Sequence, residues 1–526
     1  MADQTVSTTA DIPEPSLQQW IGFIGMVVGM FMAILDIQIV TSSIAQIQAG
    51  ISATADEVTW IQTSYLIAEV IIIPLTGWLA RAFSTRLVFS IATAGFTLLS
   101  IACALAWNIE SMIIFRALQG LFGGLLIPTV FSVVYTLFPR HRQTLMIIII
   151  GMVVTMAPTL GPVLGGYLTE AASWHMLFLI NIIPGIIVFM TTWFLMYVDQ
   201  PEPGLLEQID FIGIGLIALS LGCLQYVLEE GVRADWFNSN KILILALLAG
   251  GAFLGLIYRE LTTAHPIVDL YAFRNFNFTF GSIFSFILGI GLYVMTYLIP
   301  MQLGLIKGLS SLQIGFYVTV TGIAQFFSAP VAANLAKILD LRIILAFGMF
   351  LFGLGSYLTG FQVSDSGFWE FFWPQLLRGF SLMFCFVPIN TIALGTLPLE
   401  EVKNASGLYN LMRNLGGAIG LAIFNTWLFD WNKINFSHLR LNAEATSQRV
   451  INTLEGIEAS LSSLPQLGDP SLSGLKMLTS VAQREGLVLT FNQLYALMGF
   501  LFFASLLLIP FLRKVDFAAD APEAAH

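Results

Sequence analysis

Charge is scarce in this chain. Only 10% of its 526 residues are Asp, Glu, Lys or Arg, where a soluble globular domain carries about 25%. That excludes an ordinary water-facing surface. Basic residues are the scarcer sign, 22 against 32 acidic, for a net charge of −10. No basic stripe exists, which excludes nucleic acid as a partner. The three cysteines, Cys103, Cys223 and Cys385, lie far apart inside apolar segments and give neither a disulfide framework nor metal-ligand spacing. The five histidines, His141, His175, His265, His438 and His526, are scattered in loops or at segment ends. No metal site, cofactor or nucleophile–base set is expected, so the chain is not read as an enzyme. There is no Gly-x-x-x-x-Gly-Lys-Ser/Thr loop to take ATP as a driver, and no filter-like segment or ring of like charge to make a channel. Residues 1–19 hold no Lys or Arg. They lack the basic start of a cleavable signal and read as a short cytoplasmic tail.

What is abundant is apolar sequence: 57% of the residues are hydrophobic. A helix crossing the hydrocarbon of a bilayer needs about 20 mostly apolar residues. Fourteen segments meet that need, at roughly 20–45, 58–80, 86–107, 111–138, 143–169, 174–198, 209–229, 241–261, 278–304, 312–336, 341–361, 370–397, 405–430 and 487–513. The fold class is an all-α, multi-pass membrane protein embedded in the lipid bilayer. Basic residues favour cytoplasmic loops. With the N-terminus inside, the inward loops and C-terminus hold Arg81, Arg86, Arg140, Arg142, Arg259, Arg274, Lys337, Arg342, Lys403, Arg513 and Lys514, while the short outward loops hold only Arg233, Lys241 and Lys307. Both termini are therefore expected in the cytoplasm.

The sequence also repeats. Leu79-Ala80-Arg81 followed by Arg86-Leu87-Val88 has the spacing of Leu335-Ala336-Lys337 followed by Arg342-Ile343-Ile344. Leu118-Gln119-Gly120 with Pro128 further on is echoed by Leu377-Arg378-Gly379 with Pro388. Two similar halves around a central site is a common transporter plan. The expected arrangement is 6 + 2 + 6: a first six-helix bundle at 20–198, an inserted helix pair at 209–261, and a second bundle at 278–513, followed by a cytoplasmic tail at 514–526.

Charged side chains inside a bilayer are costly and point to function. Asp36 lies within the first segment, where hydrocarbon disfavours the charged carboxylate and lets it take up a proton. Glu69, in the second, is a second deep carboxylate, fit to carry a proton or to meet a cationic cargo. Arg116, in the fourth, keeps its charge and can bias the proton affinity of a neighbouring carboxylate; the alternative is a static partner of backbone carbonyls. The fifth segment reads Ala157-Pro158-Thr159-Leu160-Gly161-Pro162-Val163-Leu164-Gly165-Gly166. Pro158 and Pro162 remove backbone bonds and bend a helix. Gly161, Gly165 and Gly166 admit a close neighbour, for packing or for a seal against leak. Arg413 reads as a snorkelling, structural residue. A cavity for mixed hydrophobic compounds is mainly apolar, aromatic and Met-rich with a few polar groups. Met32, Tyr65, Glu69, Gln325 and Asn390 are its candidate lining.

One outward loop, 431–486, is unusually long. Val450, Leu454, Ile457, Leu461 and Leu464 recur near helical spacing beside Glu455 and Glu458, the pattern of an amphipathic helix or helix pair. It serves either as a cap on the outer face or as a docking surface.

These motifs resemble those of the fourteen-span drug:proton antiporters of the major facilitator superfamily, in particular its EmrB-like exporters. The Gly161-Pro162-x-x-Gly165-Gly166 element with Ala157-Pro158 is similar to the family's antiporter motif, and Arg116-x-x-Gln119-Gly120 to its fourth-span motif. Leu35-Asp36 matches the acidic first-span motif, Thr76-Gly77-Trp78-Leu79 the loop after span 2, and Pro266-Ile267-Val268-Asp269-Leu270 the loop after span 8. Ala80 stands where the family has Asp, Ser84 where it has Gly, and Glu69 where it has a small or amide residue. The resemblance implies proton influx coupled to multidrug efflux, hence antibiotic resistance, by alternating access in the bacterial inner membrane. It implies small hydrophobic drugs and protons as ligands. It also implies a tripartite pump with a periplasmic membrane-fusion adaptor (EmrA-like) and an outer-membrane channel (TolC-like). Export or import of one specific metabolite stays open, because fold does not fix substrate.

Overall fold

The computed structural model describes residues 13–264, 266–442, 451–452, 455–456 and 470–515. Among these every regular element is helical. The main helices are α1 (Leu17–Ser42), α2 (Trp60–Ile72), α3 (Thr76–Phe83), α4 (Thr85–Ala104), α5 (Ile109–Leu137), α6 (Arg140–Ala171) and α7 (Ile182–Leu195). An inserted pair follows, α8 (Phe211–Glu230) and α9 (Asn240–Thr262), and then α10 (Phe276–Lys307), α11 (Ser311–Ala336), α12 (Leu341–Thr359), α13 (Phe368–Leu394), α14 (Leu399–Asn442) and α15 (Pro470–Ser505). A single 3₁₀ turn, Ile73–Leu75, joins α2 to α3 at Pro74. Exposed backbone N–H groups at helix starts are met by side chains, as helix ends require. Ser16, Asn108 and Ser310 form capping boxes with Gln19, Ser111 and Gln313.

Thirteen helices among the described residues are long and apolar enough to cross a membrane. The expected span at 405–430 lies inside α14, which falls outside that group. The reason is visible in its side chains: Asn404, Asn410 and Arg413 are buried against neighbouring helices, so polarity that faces protein lowers the average hydropathy without facing lipid. The inserted helix α9 is the opposite case. Only 17% of its apolar window is buried in protein, and Leu247, Phe253 and Leu254 point outward, as on a peripheral helix bathed in lipid.

The packing repeats. In the first half α1 packs on α5, α6 and α7, α2 on α5, and α4 on α5 and α7. In the second half α10 packs on α13, α14 and α15, α11 on α13, and α12 on α13 and α15. The correspondence α1/α10, α2/α11, α4/α12, α5/α13, α6/α14 and α7/α15 follows, and the repeated loop motifs fall between equivalent helices. Gly120 and Gly379 show how close the match is: a Cβ on either would sit 2.3 Å from a backbone oxygen, of Tyr65 and Thr321 respectively. Only glycine lets α5 approach α2, and α13 approach α11, at that distance.

Pro158 and Pro162 both lie inside α6, which runs unbroken through them. One expectation is revised. The segment 431–486 is not a simple loop. α14 continues to Asn442 and α15 begins at Pro470, so residues 431–442 carry α14 roughly 18 Å past the expected end of the span. Asn435 Nδ2 donates to Thr490 Oγ1 and Gln493 Oε1, each at 2.9 Å, tying the extension of α14 to the expected span within α15. Hydrophobic periodicity alone could not show this, since the extensions are polar. Val450, Leu454, Ile457, Leu461 and Leu464, and with them the expected amphipathic face, lie outside the described residues, as do residues 1–12 and 516–526.

Candidate functional site

Asp36 and Arg116 meet at the centre of the first bundle. Asp36 lies near the C-terminal end of α1 and Arg116 in the second turn of α5, so both sit about 10 Å from the Ser42 end of the bundle at 1.5 Å per residue. Arg116 Nη1 donates to Asp36 Oδ2 at 2.6 Å, and both side chains are completely shielded from solvent. The other carboxylate oxygen, Oδ1, accepts from Asn181 Nδ2 at 2.7 Å. Arg116 Nη1 also donates to Gln119 Oε1 at 2.7 Å and its Nε to the Ile61 carbonyl at 3.3 Å. Gln119 Nε2 donates to Ser100 Oγ at 2.7 Å, and Asn181 reaches the same oxygen at 3.2 Å. The Tyr65 ring lies under the guanidinium, 4.3 Å from centroid to Cζ. Both carboxylate oxygens of Asp36 thus accept from side-chain donors.

Five helical segments contribute to this network, so a shift of α1 against α5 would break it. The sequence named Asp36, Arg116 and Gln119. It did not single out Ser100 or Asn181. The signal for Asn181 was present: one amide alone in the apolar run from Met176 to Phe189.

Glu69 sits one helix away, in the last turn of α2, and is 4% exposed. It lies within electrostatic reach of Arg116 and, across the interface, of Arg413 on α14. Its carboxylate makes no ion pair within 4.0 Å among the described residues. Arg413 is not a snorkelling residue. It is 3% exposed, donates to Asn410 Oδ1 at 2.5 Å, and stands 5.3 Å from the Phe131 ring of the first bundle. Its place four residues after Tyr409, on the face of α14 turned to α5, was hidden by its nearness to the expected span end.

The remaining candidates fall on the interface between bundles or beside it. Gln325 on α11 donates to the Gly151 carbonyl of α6 at 3.3 Å and to Thr155 Oγ1. Asn390 on α13 donates to the Phe386 carbonyl at 2.8 Å, and its own carbonyl accepts from Tyr135 of α5 at 3.1 Å. Tyr65 and Met32 are buried in the first bundle. The glycine–proline segment of α6 touches both bundles: a Cβ on Gly161 would lie 2.3 Å from Gln38 Cβ of α1, and Val163 Cγ2 stands at the same distance from the place of a Cβ on Gly315 of α11.

At the Leu17 end the halves are latched. Lys403 Nζ lies 2.5 Å from Asp199 Oδ2. Asp199 also caps α4, accepting from Thr85 N at 3.0 Å and Thr85 Oγ1 at 2.6 Å. Ser406 Oγ donates to the Pro128 carbonyl at 3.2 Å. Asp199 thus brings a carboxylate to this end of the bundle. Ser84 keeps φ at +79°, a conformation natural to glycine. On the inserted pair, Arg259 Nε donates to Asp210 Oδ2 at 2.8 Å, and this hydrogen bond, with the backbone N–H of Gly213 and Ile212, holds the Asp210 carboxyl below the usual carboxylate range.

A pseudo-twofold pair of six-helix bundles, joined by sparse polar contacts and with a buried ion pair inside the first, defines a polytopic membrane transporter. The chain belongs to the Major Facilitator Superfamily, whose model matches residues 26–420. It is 39% identical to the colistin resistance protein EmrB of Acinetobacter baumannii over 504 residues, 95% of this chain and 97% of that one. It is 30% identical to the multidrug export protein EmrB of Escherichia coli K12 over 508 residues, 96% and 97% of the two chains. Among solved structures it is similar in fold to the proton:xylose symporter XylE, with a TM-score of 0.59 at 12% identity, covering 94% of this chain and 96% of the other. The resemblance to EmrB-like members of the superfamily is thus borne out over nearly the whole length.

Proposed function

We propose that the protein is a proton-coupled multidrug exporter of the bacterial inner membrane, with fourteen crossings and both termini in the cytoplasm. The observation that carries this reading is the sealed Asp36–Arg116 pair at the meeting of α1 and α5. A charged pair in a low-dielectric interior is costly to bury and costlier to break without a replacement for the lost partner. A proton arriving from the outer side is that replacement: it neutralises Asp36, frees it from Arg116, and lets α1 move against α5. Movement of α1 is passed to α6, which touches it at Gly161, and through α6 to α11 of the second bundle. Opening the Leu17 end then requires release of Asp199 from Lys403. Cargo enters from the cytoplasmic side, and loss of the proton resets the pair. Glu69, facing the interface, takes part either as a second proton carrier or as the contact for cationic cargo. The names of the EmrB relatives support drugs as cargo. The helical extension of α14 and α15 beyond the membrane gives a periplasmic adaptor and, through it, an outer-membrane channel a surface to meet.

The test is transport in proteoliposomes. Asp36→Asn should insert and fold yet lose drug uptake driven by an imposed pH gradient. Fully coupled transport in that variant would remove Asp36 from the mechanism.

A further inference from the structure

The inserted pair touches both bundles at the end opposite Leu17. α8 packs on α2 of the first bundle and on α14 of the second. Nearer the Leu17 end, on the same flank, α14 meets the first bundle directly through α3 and the Ile73–Leu75 turn. In the outer half, therefore, α8 bridges α2 and α14.

The loop between α8 and α9, residues 231–239, carries this bridge to the outer mouth. Arg233 holds the loop to the first bundle. Its guanidinium is ion-paired with Asp56, and Nη1 donates to the Asp56 carbonyl and to Thr59 Oγ1, each at 3.4 Å, just ahead of α2. Arg233 is partly exposed, and an exposed ion pair alone is weak; the three acceptors together fix where the loop starts. Beside them the Trp60 ring of α2 packs on Tyr226 of α8, with centroids 5.4 Å apart. Trp236 reaches the other way: its Nε1 donates to Thr426 Oγ1 of α14 at 3.0 Å. One short loop thus bonds to both bundles.

The loop is bent to make this reach. Asp235 and Trp236 have φ of +56° and +51°, two successive non-glycine residues in the left-handed region, where a bulky side chain is strained. Trp236 N donates to the Gly231 carbonyl at 2.7 Å. A Cβ on Gly231 would lie 2.7 Å from the Trp236 ring, so only glycine lets the indole fold back there. Strain of this kind persists where surrounding contacts over-determine it, and it collects at switch regions. The contact to the second bundle that opposes it is one neutral hydrogen bond, whose net contribution is modest. Such a tie can open and re-form in every cycle.

We infer that the loop 231–239 is a strap across the outer mouth. Arg233 anchors it on the first bundle, and the Trp236–Thr426 bond has to break before α14 swings away from α2. Arg233 and Trp236 are positioning residues: they bias the balance between outward and inward opening and touch neither cargo nor proton. The inference rests on the alternating-access reading and gives the inserted pair a task in it.

The test uses the full chain with Cys103, Cys223 and Cys385 changed to Ala and one reporter cysteine added. Tyr293, midway along α10, reports from the outer side; Phe131, toward the inner end of α5, reports from the inner side. A membrane-impermeant maleimide labels Tyr293→Cys in right-side-out vesicles and Phe131→Cys in inside-out vesicles. W236F keeps a ring but loses the donor; T426V keeps the shape but loses the acceptor. Each should raise outer labelling about two- to tenfold, the range one net hydrogen bond commands, and lower inner labelling. Combining them should add nothing, since both remove the same bond. R233D should act in the same direction, and D56R with R233D should restore the parent rates. T426V lies on α14 and decides the matter if W236F fails to fold. Unchanged rates in T426V and W236F overturn the inference. A rise at both reporters also overturns it, because that is general loosening. Reporters that answer ethidium in the parent chain yet ignore the strap variants sink this inference alone. Reporters that never answer ethidium sink the alternating-access reading.

Discussion

Arg116 and Asp36, eighty positions apart in sequence, share a 2.6 Å ion pair from which water is excluded. Removing one partner of such a pair leaves a buried charge alone and costs about 3–5 kcal/mol. Asp36→Asn and Arg116→Gln should each lower thermal stability, and the double variant should recover much of the loss. Additive losses in a double-mutant cycle on purified protein would show that the pair is not energetically joined.

Glu69 lies within electrostatic reach of Arg116 in the pair and of Arg413 across the interface. Glu69→Gln should reduce export of cationic drugs severalfold while neutral drugs change little. An unchanged substrate profile across a matched cation and neutral panel returns Glu69 to packing.

Ser84 holds a positive φ that costs a non-glycine residue about 1–3 kcal/mol. Ser84→Gly relieves this but loses the hydroxyl that accepts from Leu87 N at 3.4 Å. A net stabilisation of about 1 kcal/mol is expected, read as a higher melting temperature in detergent. A lower one would mean the cap outweighs the strain.

Lys403 and Asp199 latch the Leu17 end. Lys403→Gln, which spares the Asp199 cap of α4, should raise the rate at which a cysteine placed at Phe131 reacts with a membrane-impermeant maleimide in inside-out vesicles. Equal rates with and without Lys403 would show that the latch does not govern opening.

Asp210 is held below the ordinary carboxylate pKa of about 3.9 by Arg259. Its contribution is therefore present above that value and lost as pH falls through the lower, folded one. Asp210→Asn should narrow the difference in melting temperature between pH 6 and strongly acid buffer. A difference equal to wild type would show that the bond contributes nothing to stability.

Much of this was readable from the residues. Hydrocarbon imposes helices on any spanning backbone, so apolar runs located fourteen helical segments, and thirteen helices among the described residues are long and apolar enough to cross a membrane; the cost of intramembrane charge singled out Asp36, Glu69 and Arg116. Other features depended on which neighbour a side chain faces, and one-dimensional patterns do not carry that. Asn181 looked like one polar residue in an apolar run until it met Asp36. Arg413 looked interfacial until its helix turned it toward Phe131. The α14 and α15 extensions were invisible to hydropathy because helices in water need no apolar run.

The central claim is that Asp36 exchanges its proton for cargo. The most direct measurement is proton release from purified, weakly buffered protein on addition of drug, screened over a small panel of compounds. Wild type should release protons with a saturable dependence on drug, and Asp36→Asn should release markedly fewer. Drug binding with no proton release from wild type, or equal release from both, would contradict it.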